Sequence, residues 1–313
     1  CNWSIMTDTG INLLSPGKTP TKNLSFLSFY AAVLRAMHRH HFLMMTSVAS
    51  LSNSYRLGGN EAPPAVMSVF SGSTLYRVFQ SIMKMKDLKE SSSSQESITI
   101  VNSIPEIFPD NTDRNRTSPF AFTGNRFEFR AVGSSQNVAS AVYVINTVVA
   151  ESLNEFRDEV DALEASGVER SEAVMNTVRK FVTDAKDIMF EGNGYSKEWE
   201  IESEKRGLRA VKNVPESYEV YHEQQTLDLF SKLGILAPNE VEARFEILNE
   251  TYVKKLQIEA RIIGDMCLNH VIPAAVRYQN VLIENVKGMK EIFGDLHAEL
   301  CVAEIETLKK ISL

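Results

Sequence analysis

The sequence predicts an α+β fold, in which a short β region interrupts helical segments. Apolar residues follow helical spacing before about residue 86 and again beyond about residue 136. Between residues 98 and 135 the pattern changes to short β-compatible stretches, and residues 126–130 (Arg-Phe-Glu-Phe-Arg) alternate charged and aromatic side chains. A period of two gives a strand one polar and one apolar face, so 126–130 is the clearest strand in the sequence.

The elements before this strand are predicted in order from spacing and composition. Residues 24–49 form a buried helix whose end carries the histidine cluster His38–His41. Residues 52–64 contain a glycine pair and a proline pair, which indicate an irregular loop. A second apolar helix follows over about 65–85, and the polar, serine-rich segment 86–97 is predicted to be a surface loop.

The elements after the strand are predicted to be almost entirely helical. Apolar residues between 174 and 189 lie on one helix face, and 240–270 is a long amphipathic stretch. Pro273 should kink or restart that helix, because proline lacks the backbone donor that a helix needs. The glycine-rich segment 192–196 lacks the spacing of a phosphate-binding loop and is predicted to be a turn between helices.

The composition is that of an ordinary globular protein. Of 313 residues, 43% are hydrophobic and 23% are charged, and the net charge of −7 argues against nucleic-acid binding. Three widely separated cysteines predict neither a disulfide framework nor a zinc site. No apolar run reaches the about 20 residues that span a bilayer, and no signal peptide is evident, so we expect a cytoplasmic protein without membrane contacts.

The ends of the sequence predict a piece of a longer protein. The chain begins at Cys1 without an initiator methionine or a start signal for a helix or strand. It ends at Leu313 on a helical pattern.

The richest candidate for a functional site is segment 113–130, which contains four arginines. The planar guanidinium group is well matched to phosphate and carboxylate groups. Arg126 and Arg130 flank Glu128, and a carboxylate between two guanidinium groups stays ionised and can bind Mg²⁺ or Mn²⁺. The alternative is a salt-bridged strand face that only contacts solvent.

Two other segments have a functional and a structural interpretation. A loop over 55–64 that carries Glu61 could close a site, exclude water and supply a general base, or it could be an ordinary turn with an exposed glutamate. Histidines at positions 38, 40 and 41 could suggest a metal site, but neighbouring helical positions do not face one another. We expect a polar helix end with one or two packed histidines.

Several motifs resemble one family, the glutamine synthetases, and do so in the order that the family has them. They are residues 2–4 (Asn-Trp-Ser), 56–64 (Arg-Leu-Gly-Gly-Asn-Glu-Ala-Pro-Pro), 113–122 (Asp-Arg-Asn-Arg-Thr-Ser-Pro-Phe-Ala-Phe) and 126–135 (Arg-Phe-Glu-Phe-Arg-Ala-Val-Gly-Ser-Ser). The Ser-Pro-Phe-Ala-Phe version of the third motif resembles the type III form, as do residues 193–199 and 270–280. The resemblance extends over essentially the whole chain.

The resemblance implies the C-terminal part of the glutamine synthetase catalytic fold, an antiparallel sheet with helices, followed by a mostly helical type III C-terminal region. It divides the chain into a partial catalytic domain, 1–160, and the helical region, 161–313. It also implies glutamate–ammonia ligation through γ-glutamyl phosphate, with ATP and Mg²⁺ or Mn²⁺ as cofactors. Homo-oligomers in double hexameric rings are expected, and the helices of 240–293 could supply an interface.

The resemblance assigns catalytic and metal-binding roles to three residues. Glu61 corresponds to the glutamate that closes over the intermediate and helps to deprotonate ammonium. Arg116 corresponds to the arginine that neutralises the transferring phosphoryl group, and Glu128 corresponds to a ligand of the metal shared with the nucleotide phosphates.

Binding roles are implied for four more residues. Arg56 corresponds to the arginine that holds the glutamate α-carboxylate, and Arg130 to a second contact with glutamate or the acyl phosphate. Ser4 and Arg126 correspond to nucleotide contacts.

The sequence also departs from the family pattern. In the family, a metal-binding histidine comes immediately before the position of Cys1, the other metal ligands and the β-grasp domain lie further upstream, and the common bacterial form has arginine at the position of Ala121. We therefore expect the 313 residues alone to be inactive. The alternative is a non-catalytic structural or interaction protein that keeps the fold, and a related carboxylate–amine ligase or guanidino kinase is a third, weaker match.

Overall fold

The computed structural model describes residues 1–58, 62–84, 117–134 and 136–312. Within these ranges contacts define two compact units, Cys1–Asn249 and Glu250–Leu313. The division of the chain at residue 160 stays a prediction about the regions of the family. The serine-rich segment 86–97 and the β-compatible stretches up to residue 116 lie outside the described residues.

The described residues form one small mixed sheet. Its strands are β1 Asn2–Trp3, β2 Val69–Phe70, β3 Phe120–Phe122 and β4 Phe127–Phe129. The strand order is β1-β4-β3-β2, and β4 pairs antiparallel with both of its neighbours. The pairing of β2 with β3 is parallel. The α+β class is therefore confirmed. The antiparallel part of the sheet is centred on β4, which is the strand that the sequence predicts most clearly.

The predicted helix over 65–85 is wrong in its first half. Val69 and Phe70 form β2, and helix α4 begins only at Ser73 (α4 is Ser73–Lys84). Gly72 separates the two elements with a φ of 83°, a conformation that glycine adopts without steric cost. A continuous apolar run has no periodicity that distinguishes a buried strand from a buried helix, so the boundary could not be located from the sequence.

Aromatic packing holds the apolar face of the sheet against helix α1 (Leu24–Arg39). The rings of Phe120 and Phe127 stack with centroids 4.7 Å apart. The ring centroid of Tyr30 on α1 lies 5.1 Å from the ring centroids of both Phe122 and Phe127. All of these side chains are buried. Because the aromatic residues of β4 point to this side, the charged residues between and beside them must face the other way.

Helices make up most of the remaining first unit. Besides α1 and α4 they are α2 His41–Thr46, α3 Leu51–Ser54, α5 Ala139–Ala165, α6 Arg170–Asp184, α7 Lys197–Lys205, α8 Val214–Ser217, α9 Gln224–Lys232 and α10 Pro238–Met266, with 3-10 turns at Pro20–Lys22, Lys186–Ile188 and Tyr218–His222. The predicted helix at 24–49 is confirmed, with an interruption at His40. The predicted helix around 174–189 is confirmed as α6 and the turn that follows it.

The second unit contains the end of α10 and the helices after it. These are α11 Ile272–Phe293, α12 His297–Leu300 and α13 Val302–Ser312, with a 3-10 turn at Gly294–Leu296. The predicted interruption at Pro273 is confirmed: the chain forms a π-helix at Cys267–Val271, where Ile272 N–H donates to Cys267 O. The ring of a proline excludes the carbonyl four residues earlier, and a wider turn is one way to accommodate it.

Two further findings concern the class of protein. None of the helices in the described ranges has an apolar stretch long enough to cross a membrane. Cys1, Cys267 and Cys301 are all free thiols.

Candidate active site

The polar face of β4 presents the central pair of the candidate site. Glu128 lies between buried Phe127 and Phe129, so its carboxylate emerges on the side opposite the aromatic core. Arg130 Nε donates to Glu128 Oε2 at 3.0 Å. The Arg130 side chain is 14% exposed and the Glu128 side chain is 39% exposed, so the carboxylate is both paired and accessible to a ligand.

Small or polar residues flank Glu128 across the sheet. Its register partners are Asn2 on β1 and Ala121 on β3, and side chains at paired positions lie on the same face. Ala121 is buried, so β3 covers this side of Glu128 with a short apolar side chain.

Arg56 is bonded to the chain just beyond Arg130. Its Nη2 donates to Val132 O at 2.7 Å and to Ala131 O at 3.3 Å, and its Nε donates to Asn53 Oδ1 at 3.1 Å. The structure therefore brings Arg56 next to the segment that follows Arg130, although the two arginines are far apart in sequence. These bonds orient the guanidinium group and use part of its donor capacity.

Asn53 supports this arrangement and was not identified from the sequence. It is buried, and its Nδ2 donates to both Val48 O and Ala131 O at 2.8 Å. In the sequence it is one polar residue at the start of the predicted loop 52–64. That position does not distinguish a buried amide from an exposed one.

Ser4 and Arg126 lie at the other end of β4. Ser4 Oγ is 3.0 Å from both Asn125 O and Asn12 Oδ1, and Asn12 Nδ2 donates to Asn125 O at 2.8 Å. Asn125 lies in the turn before Arg126, whose side chain is exposed. The sequence pattern around Asn12 predicts no role for this residue.

The loop that carries Glu61 is held at its base. Leu57 forms a bridge with Ala62, and Gly58 N–H donates to Pro63 O at 3.0 Å. Ala62 is buried, so the loop returns to the protein core immediately after its glutamate. Glu61 itself lies outside the described residues.

The start of β3 lies close to this polar face. Arg116 lies outside the described residues, and the described chain resumes at Thr117. Ser118 is buried with its Oγ 3.3 Å from Ser68 O, and Arg130 N–H donates to Pro119 O at 2.8 Å. The chain shortly after Arg116 is thus hydrogen-bonded to Arg130, whose side chain pairs with Glu128.

The histidine cluster has packing partners of its own. His40 Nε2 lies 2.7 Å from Glu151 Oε2 in a buried pair. His41 Nδ1 lies 2.8 Å from His38 O, while its Nε2 accepts Arg209 N–H at 3.0 Å. Burial lowers the pKa of both His38 and His41, and the acceptance of Arg209 N–H at Nε2 requires the neutral ring of His41. The prediction of packed histidines is confirmed.

The described residues fit a divalent metal through one carboxylate. They contain no cluster of three or more residues of the metal-ligating types. Mg²⁺ is usually bound through one or two carboxylates, with water and substrate phosphates completing its shell. Glu128, accessible on the polar face, fits the role of one such carboxylate.

Comparisons with known proteins show which proteins this chain is similar to. Residues 173–290 match the family described as glutamine synthetase C-terminal domain. The chain is 44% identical over 99% of its length to a glutamine synthetase of Bacteroides fragilis, of which it covers 43%. It is 41% identical over 92% of its length to a type-3 glutamine synthetase of Dictyostelium discoideum, of which it covers 39%.

A third relative gives the same result. The chain is 37% identical over 99% of its length to a glutamine synthetase of Butyrivibrio fibrisolvens and covers 43% of it. The chain therefore spans about two fifths of the length of the relatives it matches. Residues 173–290 thus match the glutamine synthetase C-terminal domain, and nearly the whole chain is similar to glutamine synthetases, a type-3 member included.

Proposed function

We propose that this chain forms part of an ATP-dependent glutamate–ammonia ligase. The observation that carries the proposal is the polar face of β4, where Arg130 is bonded to Glu128 at 3.0 Å and Arg56 is bonded to the two residues that follow Arg130. Phosphoryl transfer depends on positioning and on stabilising charge at phosphate oxygens, for which clustered arginines are suited. The names of the relatives support the same activity.

The proposed reaction has two steps. An oxygen of the glutamate γ-carboxylate attacks the γ-phosphorus of ATP, the bond to the ADP oxygen breaks, and γ-glutamyl phosphate forms. The nitrogen of ammonia then attacks the acyl carbon, and the carbon–oxygen bond breaks to release phosphate and glutamine. Water must be kept out between the steps because an acyl phosphate hydrolyses readily.

The proposed roles of the residues follow this sequence. Arg56 holds the α-carboxylate of glutamate, and Arg130 makes a second contact with glutamate or the acyl phosphate. Arg116 stabilises charge on the transferring phosphoryl group. Glu61 closes over the intermediate and accepts the proton of ammonium. Ser4 and Arg126 contact the nucleotide.

Glu128 would hold the divalent metal. Mg²⁺ or Mn²⁺, when bound there, supplies positive charge to the nucleotide phosphates. Within the protein, Arg130 orients the Glu128 carboxylate through the bond from its Nε.

Partners and location complete the proposal. The substrates are glutamate, ammonia and ATP, and the protein assembles as a homo-oligomer, as double hexameric rings in the full-length form. A cytoplasmic location remains our expectation from the sequence.

The test compares this chain with a polypeptide extended upstream to the length of its relatives. We expect glutamine formation in the extended form with Mg²⁺ or Mn²⁺. In Glu128→Gln the Mg²⁺ concentration for half-maximal activity should rise at least about tenfold, because a metal-binding oxygen is lost.

Glu202→Gln is a matched control for this substitution. Glu202 Oε1 also accepts from an arginine Nε at 3.0 Å, from Arg206, and its side chain is 45% exposed on α7. The control should keep the Mg²⁺ dependence of the unsubstituted enzyme. An extended polypeptide that folds and assembles but forms no glutamine would favour the non-catalytic alternative.

A further inference from the structure

Residues 189–194 lie along the edge of the sheet that β2 forms. Met189 forms a parallel bridge with Val69, and Phe190 N–H donates to Val69 O at 3.0 Å. Glu191 Oε1 accepts Ser71 N–H at 2.9 Å. The C-terminal region therefore continues the sheet beyond β2 and brings residues 192–196 close to the start of β3.

Gly194 connects this segment to the chain just before β3. Its N–H donates to Thr117 Oγ1 at 2.7 Å. A Cβ at Gly194 would lie 2.8 Å from Thr117 O, closer than real Cβ contacts, and the atom it meets is backbone. The φ of Gly194 is outside the left-handed region, so glycine is required here by the available space and not by backbone conformation.

The segment around Gly194 is fixed on both sides. Tyr195 N–H donates to Asn193 Oδ1 at 3.0 Å, and Ser196 Oγ caps α7 by accepting Trp199 N–H at 3.1 Å. Trp199 is buried and stacks on Phe190 with ring centroids 3.7 Å apart. Because these bonds fix the turn, the turn can hold Thr117 in place.

The same turn also lies beside the loop that carries Glu61. Leu57, Gly58 and Pro64 line one cavity together with Gly194 and Tyr195. Beyond that loop, Val66 forms a bridge with Ala210. The C-terminal region thus contacts the flanks of both segments to which catalytic residues are assigned.

We infer that Gly194 and Thr117 are positioning residues of the ligase site, which fix the chain between Arg116 and β3. The inference rests on the proposed function, since Arg116 and Arg130 have a catalytic setting only if the ligase reaction takes place. Thr117 follows Arg116 directly, and two residues later Pro119 O accepts Arg130 N–H at 2.8 Å. A shift at Thr117 would therefore displace the backbone on which both arginines are carried.

The experiment uses the extended polypeptide and three substitutions at this contact. Thr117→Val removes the hydroxyl that accepts Gly194 N–H and keeps the shape, Thr117→Ser keeps the hydroxyl, and Gly194→Ala adds the excluded Cβ. We expect Thr117→Val and Gly194→Ala to lower kcat by up to about 10²-fold and to raise the KM for glutamate, which Arg130 contacts, with little change in the KM for ATP. Thr117→Ser should retain most of the kcat.

Thr177→Val is the control for loss of a buried threonine hydroxyl. Thr177 is buried in α6, where its Oγ1 donates to Ala173 O at 2.9 Å. The Thr177→Val variant should keep the kcat of the unsubstituted enzyme. Melting temperatures of all variants would show whether each is folded. If Gly194→Ala does not fold, the comparison of Thr117→Val with Thr117→Ser decides the question.

Two failures can be told apart. If the unsubstituted extended enzyme forms no glutamine, the proposed function fails. If that enzyme is active and Thr117→Val matches it, or loses no more kcat than Thr177→Val, the inference about Gly194 and Thr117 is overturned while the proposed function stands.

Discussion

At the scale of single residues, Asn53 joins two parts of the candidate site. Its amide donates to Val48 O and Ala131 O and accepts from Arg56 Nε. The residue is buried, so its amide depends on these partners and not on bulk water. Asn53 therefore connects the chain before the Glu61 loop to the end of β4.

Replacement of this amide tests its importance. Asn53→Ala should lower the free energy of unfolding by about 1–3 kcal/mol, because two carbonyls and the Arg56 Nε lose a buried partner. Asn269→Ala is the control, since Asn269 is exposed and its Nδ2 contacts only a neighbouring Asp265 on the helix surface. Urea unfolding of both variants measures the difference, and equal stabilities would contradict the structural role of Asn53.

Residue-level features differ in how well the sequence predicts them. Glu128 and Arg130 were assigned to one face because strict alternation fixes the direction of each side chain. Asn53 and Asn12 were missed because their partners are backbone carbonyls distant in sequence, and only the folded chain brings these together. The catalytic roles of Glu61 and Arg116 stay predictions.

At the scale of elements, His222 connects the 3-10 turn Tyr218–His222 to α10. Its Nδ1 lies 3.2 Å from Glu219 Oε2, and its Nε2 lies 2.9 Å from Glu242 Oε2 near the start of α10. The ring also packs against Phe245, with centroids 4.1 Å apart. Burial acts to lower the pKa of His222, but the two carboxylates outweigh it and the pKa is raised.

This raised pKa predicts a pH-dependent attachment of α10. The folded state binds the His222 proton more tightly than the unfolded state, so the contribution is complete below the ordinary pKa of about 6.5 and is lost as pH rises through the higher folded value. Thermal unfolding of the unsubstituted protein and His222→Gln should be measured from about pH 5 to about pH 8. The difference between their melting temperatures should be largest at the acidic end. A difference that grows as the pH rises would contradict this expectation.

Elements were predicted best where their periodicity was sustained. The spacing over 240–270 and the position of Pro273 located both α10 and its interruption. β2 was missed because two residues are too few to show alternation, and because its pairing partners, Phe120 and Ala121, lie about 50 residues further along the chain. Short strands of this kind are specified by tertiary pairing and not by local sequence.

At the scale of the whole molecule, the second unit exposes many large apolar side chains. They lie on α10, α11 and the segments that join and follow them, and include Leu256, Ile258, Ile262, Ile263, Met266, Leu268, Val271, Ile272, Val276 and Val281. Many exposed large apolar side chains on one pair of helices are typical of an interface. It supports the proposed homo-oligomer.

A charged substitution on this surface should weaken assembly. Ile263 is 61% exposed, and Ile263→Glu should shift the mass measured by light scattering toward the single chain, because a buried unpaired carboxylate is costly. Ile201→Glu is the matched control, at a 57% exposed isoleucine of the first unit on α7. If the unsubstituted protein is already monomeric, or if Ile263→Glu keeps its mass, the proposed role of this surface is wrong.

The contact between β2 and residues 189–191 has a consequence for biosynthesis. Ser71 and Glu191 are 120 residues apart, so the edge of β2 stays uncovered on the ribosome until the later segment has emerged. At roughly 5–20 residues per second, this delay lasts on the order of ten seconds. An uncovered strand edge readily pairs with other chains, so nascent polypeptides of this protein should depend on chaperones during that interval.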